Sequence, residues 1–116
     1  MNSPPPDPSA ELRRHDRRLL RTTATVVLAG TQTFEVRTLD ISEGGAAIVA
    51  AANPKSGTVF QIRMAIPRKA KDSIPIEAEV QVMHSIFVNS EQGFRIGLRF
   101  VRIEPAAAAA ITQFLK

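Results

Sequence analysis

The sequence predicts an all-β domain, a six-stranded antiparallel β-barrel followed by one C-terminal α-helix. A chain of 116 residues has room for one hydrophobic core, and 44% apolar with 22% charged residues is typical of a globular domain. After residue 22, apolar and polar residues repeatedly alternate with a period of two, which is the pattern of half-buried strands. The pattern changes at the C-terminus, where a proline is followed by an alanine run.

Alternation and turn residues together place the strands. The six predicted strands cover residues 23–28, 34–39, 46–49, 60–66, 76–82 and 94–100. The last three alternate most strictly, so each can pack one face on a core while the other face meets water. Six short strands curl readily into a closed barrel, because closure removes exposed sheet edges. We expect the barrel to occupy residues 22–103.

Turn residues or charges mark the connections between the predicted strands. A hairpin loop is expected at residues 29–31, and asparagine, proline and glycine interrupt the chain at residues 53–57. Residues 67–73, which are rich in lysine and arginine, and residues 84–92 are expected to be longer connections.

The C-terminal helix is predicted over residues 105–115. Pro105 suits the first helical position, and five alanines, which have high helix propensity, follow it. Ala107, Ile111, Phe114 and Leu115 share one face at helical spacing. A helix this short is marginally stable alone, so we expect that face to dock on the sheet.

The first 21 residues divide into a proline-rich tail and an arginine-rich segment. Four prolines stand among the first eight residues, and residues 1–10 are expected to be a disordered tail with nothing to bury. Residues 11–21 hold five arginines and carry +3 of the formal net charge of +4, while all four lysines lie elsewhere. Because a guanidinium is a rigid fork of donors that matches phosphates and the Hoogsteen edge of guanine, this segment indicates an anionic partner.

Composition excludes several classes of protein. With no cysteine, the chain has no disulfide, thiolate zinc site, cysteine nucleophile or iron–sulfur cluster. No apolar run approaches the roughly 20 residues that span a bilayer. The N-terminus lacks the basic and apolar regions of a secretory signal, so we expect a cytoplasmic protein without a membrane span.

Two segments carry side chains suited to binding chemistry. The first precedes the first predicted strand and contains Arg13, Arg14 and Arg17. The second, residues 40–45, lies between the second and third predicted strands and contains an aspartate, a serine and two glycines. Taken separately, an arginine run is most often a solvated face and such a loop is most often a simple turn.

Taken together, the two segments resemble the PilZ domain family of cyclic di-GMP (c-di-GMP) receptors. The family's Arg-x-x-x-Arg motif maps onto Arg13 and Arg17, and Arg14 matches the doubled arginine of many members. Arg14 and Arg18 satisfy the same spacing, so the alternative pair stays open. The late strand, residues 95–100, is also similar to the closing strand of the family, and the resemblance extends over residues 11–116.

The family's second motif, Asp/Asn-x-Ser-x-x-Gly, maps onto Asp40, Ser42 and Gly45. The resemblance implies a split-barrel fold and a non-enzymatic receptor in which residues 11–21 order over a ligand on the outside of the barrel. The residue chemistry fits that ligand, because a carboxylate such as Asp40 can accept from the N1 and N2 donors of guanine. The serine can bind phosphate or ribose, and Gly44 and Gly45 allow the backbone to approach a flat base.

Three other functions compete with this hypothesis. A hydrolase is disfavoured because Asp40 and Ser42 lie two residues apart on one strand end, on the same side, with His15 and His84 elsewhere. A nucleic-acid-binding barrel is disfavoured because the charge is concentrated in one segment and the chain has no tyrosine or tryptophan for base stacking. A PilZ-like adaptor without nucleotide binding remains open. No cofactor is expected beyond the ligand, and a receptor of this size must act through a downstream protein that the sequence does not identify.

Overall fold

A computed structural model describes residues 17–28, 31–69 and 71–116 of the chain. The proline-rich tail, Arg13, Arg14, His15 and part of the predicted hairpin loop lie outside these residues. The described strands and helix are β1 (Arg18–Leu19), β2 (Thr23–Leu28), β3 (Gln32–Ile41), β4 (Gly45–Ala50), β5 (Val59–Pro67), β6 (Ser73–Val88), β7 (Gly93–Ile103) and α1 (Pro105–Leu115). A 3₁₀ helix, Asn89–Glu91, connects β6 to β7.

Strands β2 to β7 form a closed antiparallel barrel in the order β3-β2-β5-β6-β7-β4, which closes because β4 pairs again with β3. The prediction of a six-stranded barrel with a terminal helix is therefore confirmed. The short strand β1, which the alternation did not predict, adds to the outer edge of β3 through the pairs Arg18–Ile41 and Leu19–Asp40.

Inward-facing apolar side chains of all six barrel strands form one core. Val80, Leu98 and Ile66 are fully buried near its centre. The helix α1 packs on β5 and β6 and buries Ala107, Ile111 and Phe114 in the same core, as its helical spacing predicts. Among the described residues, no helix is long and apolar enough to cross a membrane.

A β-bulge in β3 changes which residues face outward. The pairing with β4 skips one residue between Thr38 and Asp40, so Leu39 is the extra residue. Before the bulge the even-numbered Val36 and Thr38 are buried, and after it the odd-numbered Ile41 is buried. Leu39 and Asp40 therefore share the outer side between Thr38 and Ile41, whereas Asp40 would take the inward phase if the same residues alternated strictly without a bulge.

A second bulge, between Val82 and His84, makes the expectation of a connection at residues 84–92 wrong. Strand β6 continues to Val88, and only Asn89–Glu91 and one following residue connect it to β7. After the bulge, Ser85 and Phe87 take the inward phase, so the period-two pattern is interrupted in the sequence although the strand is continuous. The Ser85 hydroxyl is buried and has no hydrogen-bond partner among the described residues.

Candidate arginine–aspartate ligand site

The end of β3 brings the two chemistry-bearing segments together. Asp40 lies between β1, where it pairs with Leu19, and β4, where it pairs with Ala47. The bulge at Leu39 directs the Asp40 carboxylate to the outer surface of the barrel, and bulges commonly direct side chains in this way at binding sites.

Two arginines from different parts of the chain bind the Asp40 carboxylate. Arg17 Nη1 donates to Asp40 Oδ1 at 2.9 Å, and Arg95 Nη2 donates to Asp40 Oδ2 at 3.4 Å. The Asp40 side chain is only 13% exposed, whereas Arg17 and Arg95 are 29% and 44% exposed. The cluster therefore combines one largely buried carboxylate with two partly exposed guanidinium groups and has a formal charge of +1.

The neighbouring arginine has a different environment. The Arg18 guanidinium carbon lies 4.3 Å from the centre of the Phe114 ring, and Arg18 Nη1 donates to the Phe114 carbonyl at 2.5 Å. A cation at the C-terminal end of a helix is favourable, because the last carbonyls have no partner within the helix. Arg18 therefore connects β1 to α1, while Arg17 is directed to Asp40.

Backbone hydrogen bonds and one threonine hold the arginine segment on the barrel. Leu20 is buried, and its N–H donates to the Leu39 carbonyl at 3.0 Å. The buried Thr38 hydroxyl donates to the Leu20 carbonyl and accepts from the Thr22 N–H at 3.0 Å. The side chain of Thr38 thus links both sides of the segment to β3.

The loop between β3 and β4 is closed by its own hydrogen bonds. Ser42 is buried, and its N–H and hydroxyl both donate to the Gly45 carbonyl, at 2.8 Å and 3.3 Å. The Gly44 carbonyl accepts from the Phe100 N–H at 3.0 Å, which fixes the loop to β7. Neither Gly44 nor Gly45 has a positive φ, so left-handed backbone is not the reason for these two glycines.

A row of small residues crosses the outer surface beside Asp40. Ala47 pairs with Asp40 on one side and with Gly97 on the other, and Gly97 pairs with His84. The His84 ring covers Gly97, since a Cβ at Gly97 would lie only 2.2 Å from His84 Cε1. His84 is exposed, whereas Ala47 and Gly97 are buried, so the row has an accessible imidazole at its far end and covered small residues between it and Asp40.

The structure places the predicted site residues in three groups. Arg17 and Asp40 are in contact, whereas Ser42, Gly44 and Gly45 form the adjacent loop, with Ser42 buried and only the Asp40 carboxylate directed outward. Arg13 and Arg14 lie outside the described residues.

Sequence reasoning missed Arg95 as a site residue. Its position on the outward phase of β7 is also typical of an ordinary solvent-facing arginine, and only the pairing of β4 with β7 reveals its proximity to Asp40. No group of three histidine or acidic side chains that could hold a metal ion occurs in the described part of the chain.

The barrel is similar to three solved structures that share little sequence with this chain. The Bacillus subtilis inhibitor of motility MotI/DgrA matches with a TM-score of 0.78 and 19% identity, over 89% of this chain and 49% of that one. This chain thus spans about half the length of that protein. The PilZ domain of YcgR from Escherichia coli with c-di-GMP matches with a TM-score of 0.65 and 17% identity, over 89% of this chain and 88% of that one.

The third structure is the Borreliella burgdorferi PlzA protein in complex with c-di-GMP, with a TM-score of 0.55 and 16% identity, over 88% of this chain and 40% of that one. A search of curated proteins found no match. The PilZ domain family model matches residues 11–116, which include the arginine segment, the whole barrel and the terminal helix. The chain therefore belongs to the PilZ domain family.

Proposed function

We propose that this chain is a non-enzymatic receptor for c-di-GMP. The observation that carries the proposal is the Arg17–Asp40 contact of 2.9 Å, which joins the two segments whose side chains suit a guanine dinucleotide. Family membership supports the proposal, as do the similar folds of YcgR and PlzA in structures with c-di-GMP.

The ligand would exchange partners with the arginine–aspartate cluster. c-di-GMP offers two negatively charged phosphodiesters and two guanine bases. The Asp40 carboxylate can accept from the N1 and N2 donors of guanine in place of its arginine donors. Arg13 and Arg17, with Arg14 assisting, then bind phosphate oxygens or the O6 and N7 atoms of a guanine. Both partners of the present ion pair would find a new partner in the ligand, so neither is left buried and unpaired.

The loop residues would have supporting roles. Gly44 and Gly45 keep side-chain bulk away from the approach to Asp40, and Ser42 stabilises the loop through its two hydrogen bonds to the Gly45 carbonyl. We place Arg95 beside these residues as a further ligand contact, because it already donates to Asp40 and is accessible. The buried Ser42 hydroxyl supports a binding function over a hydrolytic one, since a nucleophile must reach its substrate.

The signal would be the rearrangement of residues 11–21. Arg17 adjoins β1, which pairs with only two residues of β3, so moving Arg17 from Asp40 to a ligand changes the contacts of a weakly paired strand. Ordering of a segment by ligand contacts is a common switching device. A downstream protein would read the surface that the ordered segment creates.

The contact also favours one of the two motif registers. Arg17 is directed to Asp40, while Arg18 binds the end of α1, so Arg13/Arg17 is better placed for the ligand than Arg14/Arg18.

Isothermal titration of the chain with c-di-GMP tests this proposal, with GTP and cyclic di-AMP as controls. We expect Arg17→Ala and Asp40→Asn each to weaken binding by about 1–3 kcal/mol, which is roughly tenfold or more. Arg63→Ala is the matched control, because Arg63 on β5 forms a similar ion pair of 2.7 Å with Glu77 on β6, away from this site. Failure of the unmodified chain to bind c-di-GMP would overturn the proposal, and unchanged affinity in Arg17→Ala would remove that arginine from the site.

A further inference from the structure

The barrel interior opens to solvent at one end. A cavity of about 170 Å³ lies where β2 and β4 finish and β3 and β5 begin. Its wall is formed by Val26, Leu28, Phe34, Val36, Ile48, Ala50, Ala52, Pro54, Thr58, Phe60 and Ile96. Phe34 is 49% exposed, so part of an aromatic ring is accessible at the rim.

The described residues offer the cavity no polar group. None of their polar atoms contributes to its surface, although Thr58 is one of its lining residues. The Thr58 hydroxyl already donates to the Lys55 carbonyl at 2.7 Å. A buried water requires two to four polar partners, so water inside this cavity would lose hydrogen bonds without replacement.

The size of the cavity limits the ligand. Apolar cavities of about 150 Å³ lined by leucine, isoleucine and phenylalanine stay dry and bind benzene or xenon. Binding there is driven by removal of apolar surface from water, which needs no directed contact. From the volume and the lining, we infer that this end of the barrel binds an uncharged apolar molecule about the size of one aromatic ring.

This site is separate from the proposed dinucleotide site. Both use the same strands, but Ile48 and Ile96 face the cavity while their neighbours Ala47 and Arg95 belong to the outer surface. A charged dinucleotide cannot enter a cavity without polar groups, because burial of an unpaired charge is costly. The inference therefore stands or fails independently of c-di-GMP binding.

Methyl-detected NMR with toluene as the probe tests the inference. We expect saturable shifts of the methyl groups of Val26, Val36, Ile48 and Ile96, which line the cavity. The methyl groups of Ile74 and Leu115, which are not among the lining residues, serve as internal references. Absence of saturable shifts at the lining methyl groups up to the solubility limit of toluene would overturn the inference.

Cavity-filling variants locate the binding. Ala50→Phe extends a ring into the cavity from its half-buried rim and should abolish toluene binding, and Ala52→Phe does the same from an exposed position that leaves the core unchanged. Ala65→Phe, on the exposed outer face of β5, is the control and should bind as the unmodified chain does. Equal binding by all variants, or nuclear Overhauser contacts showing that residues 1–16 or a second copy of the chain occupy the cavity, would contradict the inference.

Discussion

The six barrel strands and the segment 17–22 are held in place by different kinds of interaction. The barrel combines continuous antiparallel pairing with one apolar core, so each strand is fixed by many contacts that form together. The segment depends on a two-residue strand, one buried leucine, the Thr38 hydroxyl and the contacts of Arg17 and Arg18. The polar contacts of Arg17 can be exchanged for contacts to a ligand, whereas the apolar contacts of the core cannot. We therefore expect residues 17–22 to open at a lower free energy than the barrel, and the variants below test this expectation.

The largest effect is expected from a change in the barrel core. Leu98 is fully buried in β7, and Leu98→Ala should lower the free energy of unfolding by about 2–5 kcal/mol, because it loses transfer energy and leaves a cavity. Urea unfolding measures the change. Val101→Ala on the same strand, where Val101 is 45% exposed, is the control and should change stability by less than about 0.5 kcal/mol. A loss below about 1 kcal/mol for Leu98→Ala would show that the core at this strand can collapse into the vacated space.

A smaller and more local effect is expected at Thr38, which links the two regions. Thr38→Val keeps the shape of the side chain but leaves the Leu20 carbonyl and the Thr22 N–H without their hydroxyl partner. We expect a loss of about 1–3 kcal/mol, with faster hydrogen exchange at the amides of Leu20 and Thr22 than at those of the barrel.

Thr33→Val is the control for Thr38→Val, because Thr33 is exposed at the beginning of β3. Uniformly faster exchange throughout the barrel in Thr38→Val would mean that residues 17–22 and the barrel unfold as one unit. That result would contradict the expectation that the segment opens separately.

The smallest effect is expected at Arg18. Arg18→Ala removes a cation over the Phe114 ring and a donor to the Phe114 carbonyl, and the expected loss of stability is about 1 kcal/mol. The change should appear as faster hydrogen exchange in the last turn of α1 and a shift of the Phe114 ring resonances. Arg18→Lys keeps the charge but not the planar group, so it should restore only part of the effect. An unchanged helix end in Arg18→Ala would show that the segment and α1 are independent.

The sequence predicted an element correctly where burial alone determines the pattern of apolar residues. Alternation predicted the six barrel strands and the helical spacing predicted the buried face of α1, because both patterns follow directly from burial. It failed at residues 84–92, because the bulge after Val82 shifts the inward phase by one residue and conceals the rest of β6. Because the alternation breaks at the extra residue, the sequence alone does not distinguish a bulge within one strand from the end of that strand.

Part of the candidate site was also predictable from the sequence. Arg17 and Asp40 were identified because each belongs to a short motif with a fixed spacing, and the structure brings them into contact. Arg95 and Thr38 were missed because an outward arginine and a buried threonine are ordinary strand residues. Their roles depend on which strands are neighbours, and strand order is a property of the whole barrel.

The bulge at Leu39 adds a side chain to the outer side of β3 without disturbing the interior. Thr38 and Ile41 both face inward, and the two residues between them, Leu39 and Asp40, share the outer side, where Leu39 is buried with Ala47 and Val49. A homologue that deleted Leu39 would keep the acidic side chain outside and the isoleucine inside, and would lose only the apolar packing beside the carboxylate. Length differences of one residue at this position should therefore separate PilZ domains with a packed leucine beside the acidic side chain from those in which that carboxylate is more exposed.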